Sequence, residues 1–287
     1  MKIVRLGMTE TSLLLYSFVS RNYNINPVTK IRISKGIMIM INWLYSTSGY
    51  YDKEVNGENF NFDVTALTQN YFKFIKHLEE SIAGCEVTQF YVHEGLPKTL
   101  LYQCMEDLIK KYNIRNLTVL NEIKFKHRIP DIFERIANKR VLVISAFDGL
   151  IRQQVESGNI NKIYPNFPQI AGFETLKFPY CFHNKGPHAN YFETLDAVFS
   201  DIEKISNNFD IALLSCGAYG HMLCHKIDSV LNKDAIYVGG SIQELFGIVS
   251  TREKDRGEVE YNDYWIREIP ESYRPPNYKA IENGCYW

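Results

Sequence analysis

The stretch FDIALLSCGAYGHMLCHKIDSVLNKDAIYVGGSIQELFGI, from Phe209 to Ile248, decides the fold. Ile211 to Leu214 form an unbroken apolar run of the kind needed by a strand buried on both faces. Gly217, Ala218, Tyr219 and Gly220 then lead into a helical spacing carried by Met222, Leu223, Ile227, Val230 and Leu231. Ala235 to Val238 read as the next strand, which ends in Gly239 and Gly240 on the same rim. A helix N-terminus offers unpaired N–H donors and the positive end of the helix dipole, so Gly217 to His221 would cradle a phosphate or diphosphate. Close packing of a helix on a strand also demands small residues, and the turn by itself does not choose between the two readings.

The same alternation runs outward along the chain. Strands are expected at Ile3 to Leu6, Val87 to Val92, Leu117 to Leu120, Arg140 to Ser145 and near Phe173 to Phe178. Helices are expected at about Thr9 to Val19, Ser34 to Tyr45, Val64 to Ile82, Lys98 to Tyr112, Pro130 to Ile136, Asp148 to Val155 and His188 to Ile205. This pattern implies an α/β fold: a Rossmann-like, mostly parallel sheet with helices on both faces and ligands above the carboxyl ends of its strands. Residues 1–287 read as one domain, with a soft division near Asn138 and a tail over 262–287 that packs on the core.

Composition limits the partners. With 32 Lys and Arg against 33 Asp and Glu the net charge is −1, so no general basic surplus points to nucleic acid or an anionic membrane, although a local basic patch stays open. The longest apolar window, Ile37 to Tyr45, is broken by Asn42 and far shorter than the roughly 20 residues that span a bilayer; it reads as a buried helix. No secretion leader precedes Ile3, and six scattered cysteines without a CxxC pair point to free thiols, so a cytoplasmic location is expected. His221, Cys224 and His225 share a helical stretch; they are either a partial zinc set or packed core residues.

Several of these segments, taken together, resemble a group of uncharacterised proteins classed with the glycosyltransferases and related to the GT-D fold class. The resemblance is carried by Phe209–Leu214 with Cys216–Gly220, by Tyr237–Gly240 with Gln243 and Leu245–Ile248, and by Arg140–Phe147 with Ile151 and Gln154. It extends to Asn262–Trp265, Pro270, Glu271, Pro275 and Cys285–Trp287, and is sparser before Arg140. It implies a GT-D-like sheet that binds a nucleotide-sugar, most of all a UDP-sugar, and moves the sugar to a glycan or glycoprotein acceptor in polysaccharide biosynthesis. The alternatives are a catalytically silent nucleotide- or glycan-binding protein and another Rossmann-type transferase; the absent GxGxxG pattern argues against a dinucleotide oxidoreductase.

Arg5-Leu6-Gly7-Met8-Thr9-Glu10 is similar to the Arg-x-Gly-Asp-x-Glu turn of GT-D enzymes, whose two carboxylates lie near the donor diphosphate and a divalent metal. The resemblance thus implies Mn²⁺ or Mg²⁺, yet Met8 stands at the Asp position, and a thioether does not replace a hard oxygen ligand. Glu10 is then a ligand, a sugar contact or a base, or else an acidic residue complementing its helix dipole. Arg5 pairs with the diphosphate or with Glu10. Asp148 is a second candidate base or the N-cap of its helix. The expected donor site is Arg5, Gly7, Gly217, Ala218, Tyr219, Gly220, His221, Gly239, Gly240 and Gln243, with Glu10 and Asp148 catalytic. Gln243 is alternatively a solvent-facing amide and Tyr219 a packed ring. Asn262, Trp265 and Arg267 line an acceptor cleft or belong to a tail docked on the core.

Overall fold

The structure, a computed structural model, describes residues 1–56, 64–90, 97–115, 129–251 and 260–287. Among these residues the strands are β1 (Lys2–Leu6), β2 (Glu86–Phe90), β3 (Arg140–Ser145), β4 (Gly172–Lys177), β5 (Ile211–Ser215) and β6 (Asp234–Tyr237). They form one sheet in the order β2-β1-β6-β5-β3-β4, and every neighbouring pair is parallel. The fold is therefore α/β and Rossmann-like, as the alternation predicts. The strand expected at 117–120 lies outside the described residues.

A strand of period 2 presents alternate residues to opposite faces, and the core divides accordingly. Val4, Leu6, Leu142, Ile144, Ala212, Leu214, Ala235 and Tyr237 belong to one cluster. Ile3, Val141, Val143, Ile211, Leu213 and Ile236 belong to the other. The first face is covered by α1 (Met8–Asn22), α2 (Pro27–Ser46), α4 (Val64–Ile82), α5 (Lys98–Tyr112), α9 (Tyr191–Lys204) and α10 (Gly220–Leu231). The second is covered by α6 (Ile129–Ile136), α7 (Asp148–Glu156), α8 (Asn159–Ile163), α11 (Ile242–Leu245) and the residues up to Trp287. A four-residue helix, α3 (Lys53–Asn56), lies between α2 and α4.

Right-handed crossovers explain this division for four of the five connections, the long β2 to β3 connection having α5 on the first face and α6 on the second. The connections β1 to β2, β4 to β5 and β5 to β6 all step toward the β2 edge and run over the first face. The connection β3 to β4 steps the other way and runs over the second. The chain thus leaves the carboxyl ends of the neighbouring strands β3 and β5 toward opposite faces, which opens a crevice between them. β1 closes the arrangement from the other half of the sequence by pairing with β6 at Lys2↔Ala235 and Ile3↔Ile236. Residues before and after Asn138 hence share the same sheet.

Helix boundaries follow local chemistry. α2 begins at Pro27 rather than near Ser34, because Asn26 caps it by accepting from the Thr29 N–H at 2.9 Å and Pro27 suits the first turn. The window Ile37 to Tyr45 is not a buried helix as expected: Met40, Ile41, Leu44 and Tyr45 are buried, while Met38, Ile39 and Trp43 are exposed. α9 starts at Tyr191 rather than His188, capped by Asn190, which accepts from the Glu193 N–H at 3.1 Å. No helix among the described residues is long and apolar enough to cross a membrane.

Leu214 on β5 is fully buried, with neighbours on both sides at Ile144 and Tyr237. Leu214→Ala is expected to lower the stability by about 2–5 kcal/mol through lost transfer energy and a residual cavity. In urea unfolding this appears as a lower midpoint with an unchanged slope.

Candidate functional site

A cleft opens over the carboxyl ends of the strands, at the crevice between β3 and β5. It encloses about 120 Å³ of fillable space, and about 750 Å³ with its open mouth counted. Its floor comes from the strand ends: Ser145, Ala146 and Phe147 after β3, Ser215, Cys216 and Gly217 after β5, and Tyr237, Gly239 and Gly240 at and after β6. Arg5 of β1, the strand beside β6, reaches it with its guanidinium against Gly239 just past the end of β6. The walls are Thr47–Gly49 at the end of α2, Phe178–Phe182 after β4, and Gln243, Tyr286 and Trp287. Among the described lining residues Arg5 is the one charged side chain, and none is an Asp or Glu.

Two glycines shape the floor through their backbone. Gly217 has φ +51°, and a Cβ there would lie 2.6 Å from the Ser48 carbonyl oxygen. That oxygen accepts from the Ala218 N–H at 2.8 Å, and the Tyr237 hydroxyl donates to the Gly217 carbonyl at 2.8 Å. The turn is consequently tied to α2 on one side and to β6 on the other, and one donor of the expected phosphate cradle is already engaged by Ser48. Gly239 has φ +71°, and its missing Cβ leaves room for the Arg5 guanidinium lying directly over it.

The structure brings Arg5, Gly217, Tyr219, Gly239, Gly240 and Gln243 together in the cleft lining. Gly7, Ala218, Gly220 and His221 are on the same rim but not in the lining; Gly220 is where the Tyr237 ring packs against α10. Gln243 is buried and donates through Nε2 to the Tyr286 carbonyl at 2.8 Å, so it is not a solvent-facing amide and instead pins the final segment against the cleft. Asp148 is the first helical residue of α7 and not its N-cap, which is Phe147. Its carboxylate, half-buried beside the cleft, raises the pKa of the neighbouring Tyr180 and Tyr273 hydroxyls, in both cases after burial as the main cause. Trp265 is buried against Tyr164 and Tyr261, Asn262 donates to the Lys162 carbonyl, and Arg267 donates to the Tyr261 carbonyl. Trp265 and Asn262 are docking contacts of the tail, and the bond from Arg267 to Tyr261 stays within it.

Glu10 is turned inward. It is the third helical residue of α1 after the N-cap Gly7, and its carboxylate accepts from the backbone N–H groups of Glu10 and Gly7, the reach-back half of a capping box. Burial raises its pKa above the ordinary 4.5, opposed by those N–H donors and by the nearby Arg5 charge. The other expected cluster separates: Cys224 points toward the Ile3 carbonyl, His225 sits 3.2 Å from the Lys2 ammonium, and His221 lies among the Phe74 and Tyr237 rings. Among the described residues no three His, Cys, Asp or Glu side chains are grouped as a metal site.

Compared with protein-family models, curated proteins and solved structures, the chain matches none. The site is therefore read from its own chemistry. Sequence reasoning missed Ser48, Ser145, Ser215, Tyr180, Phe182 and Trp287. Ser145 and Ser215 had a signal, since each is the last residue of a parallel strand on the ligand-bearing edge. Tyr180 and Phe182 follow β4 in a segment without periodicity, and Trp287 arrives through tertiary docking, its indole N–H donating to the Tyr273 carbonyl at 2.8 Å.

Two titrations test these placements. A carboxylate whose folded pKa is raised binds more protons in the native state, so its stabilising contribution is full below the unfolded value and is lost as pH rises through the folded value. Glu10→Gln is therefore expected to flatten the loss of stability that the wild type shows as pH climbs from about 4.5, read by chemical denaturation at each pH. His221 has the opposite sense. It is fully buried, neither ring nitrogen has a hydrogen-bond partner among the described residues, and burial pushes its pKa down from 6.5 to about 3. His221→Leu is expected to keep or raise the melting temperature at neutral pH and to remove part of the destabilisation between pH 6.5 and about 3.

Proposed function

We propose that the cleft receives a nucleotide-sugar and that the protein is a glycosyltransferase, with a UDP-sugar as donor and a glycan or glycoprotein as acceptor. The observation that carries this reading is the convergence of Arg5 with the Gly217 and Gly239–Gly240 turns at the reversal point of a parallel sheet, where such sheets hold their ligands. A planar guanidinium matches diphosphate oxygens in pairs, and the glycine turns let backbone approach them closely. The rings of Phe147, Tyr180, Phe182 and Trp287 supply faces on which a base or sugar stacks.

In the reaction the bond from the anomeric carbon to the diphosphate oxygen breaks, the electron pair leaves with the diphosphate, and the acceptor oxygen bonds to the sugar. Arg5, in a cleft poor in other charge, would stabilise the departing negative charge. Glu10 is committed to its helix start, so Asp148, adjoining the lining residue Phe147, is the better-placed base for the acceptor hydroxyl. The resemblance implies Mn²⁺ or Mg²⁺, but the donor set does not fit one: Met8 replaces a carboxylate, Glu10 accepts from backbone, and no Asp or Glu side chain is among the described lining residues of the cleft. The same lack favours one second reading, a protein that binds the nucleotide-sugar without turnover. All six cysteines are free thiols, which supports the cytoplasm as the working compartment.

UDP-sugars are expected to raise the melting temperature in EDTA and to release UDP on incubation with a glycan acceptor. Arg5→Gln should weaken binding by about 10- to 100-fold, the loss of a charge-assisted pair worth about 1.5–3 kcal/mol. Stabilisation without UDP release supports the silent binder, and a panel of UDP-, GDP- and CMP-sugars without any stabilisation refutes both readings.

A further inference from the structure

α2 is apolar on two sides. Thr29, Ile33, Met40, Ile41, Leu44 and Tyr45 face the core, while Val28, Ile31, Met38, Ile39 and Trp43 are exposed, the first four of these at 54–61%. At 3.6 residues per turn those five side chains, with Arg32 and Lys35, fall within an arc of about 140° on the outer face. The only charged residues of the helix are Lys30, Arg32 and Lys35, all exposed; it holds no Asp or Glu. A helix with an apolar stripe beside cations and no acid has the character of one that lies in a lipid–water interface.

We propose that the outer face of α2 docks on an anionic membrane surface, with the stripe in the acyl boundary and Arg32 and Lys35 against lipid phosphates. Charge complementarity selects this occupant over a second copy of the chain. Two α2 helices packed face to face would bury Arg32 and Lys35 with no carboxylate on either helix to meet them, and an uncompensated buried charge is strongly unfavourable. Trp43 stands one turn before Thr47, where α2 enters the wall of the cleft, so the docked face would hold the cleft mouth beside the lipid. The docking itself does not depend on the proposed activity.

The test uses Trp43 as its probe, since Trp265 and Trp287 are buried at 7% and 8% exposure against 38% for Trp43. Vesicles of phosphatidylcholine with roughly a third of phosphatidylserine are expected to cosediment the protein and shift its tryptophan emission to the blue. Pure phosphatidylcholine should bind it far less, and added salt should release it. The double variant Arg32→Gln, Lys35→Gln should bind about thirty-fold more weakly, at about 1 kcal/mol for each cation near the surface. Ile39→Glu should abolish the emission shift, and both variants should melt like the wild type because these side chains are exposed. Failure of the wild type to bind the anionic vesicles, or equal binding by both variants, would overturn the proposal. So would a wild-type dimer in gel filtration that Ile39→Glu dissolves without any vesicle binding, which assigns the face to a second copy.

Discussion

The handedness of the crossovers governs the rest of the structure. Right-handed wrapping commits the helices of the β1 to β2, β4 to β5 and β5 to β6 connections to one face and those of the β3 to β4 connection to the other, while the long β2 to β3 connection carries α5 on the first face and α6 on the second. β3 and β5 are neighbours whose outgoing chains take opposite steps, so nothing from either connection can fill the space above their carboxyl ends. The cleft is that space. Its position therefore depends on strand order, and the side chains around it adjust to a vacancy that the topology makes unavoidable.

Charge is distributed to match. The amino edge of the sheet carries ion pairs: Arg140 with Asp210 at 2.5 Å and Lys139 with Asp234 at 2.6 Å. These are partly exposed and stabilise little individually, but they hold β3, β5 and β6 at their starting ends. The carboxyl edge is different in kind. Burial keeps the Cys181 and Cys216 thiols and the Tyr180 and Tyr219 hydroxyls protonated, which leaves Arg5 as the one charged side chain in the described lining. A cation among apolar and aromatic walls acts in a low local dielectric, where its attraction for an anion exceeds its value in water.

Particular residues show how far the site was legible. Gly217 and Gly239 are visible in the sequence as turn glycines after strands, and the structure explains both by positive φ and close neighbours. Of the neighbours themselves, Arg5 is marked by the turn it begins, whereas Ser48 lies far away in the chain and carries no local mark. Glu10 was read at the right turn, but its direction depended on which groups surrounded it, and unfilled N–H donors at the helix start drew the carboxylate inward. Gln243 reads as polar and short-helical, with nothing to indicate that Tyr286 would arrive to accept its amide. The Ile37 to Tyr45 window has the composition of a buried helix. Only the packing of α2 on one side of the sheet shows which half of it remains outside.

The sequence by itself determined the elements and their faces. Continuous apolar runs such as the one in Arg140–Ser145 mark strands buried on both faces, the 3.6-residue spacing along Lys98–Tyr112 marks a helix with one buried side, and both can be read from the residues alone. It also placed Gly239 and Gly240 at a strand end, because turns on the ligand edge select small residues. Only the tertiary structure decided that β1 inserts beside β6, that Arg5 meets Gly239, that Ser48 closes over Gly217, and that Trp287 walls the same cleft. Those contacts join segments separated by most of the chain, and the free energy that selects them comes from burial of whole faces, which leaves no trace in local spacing.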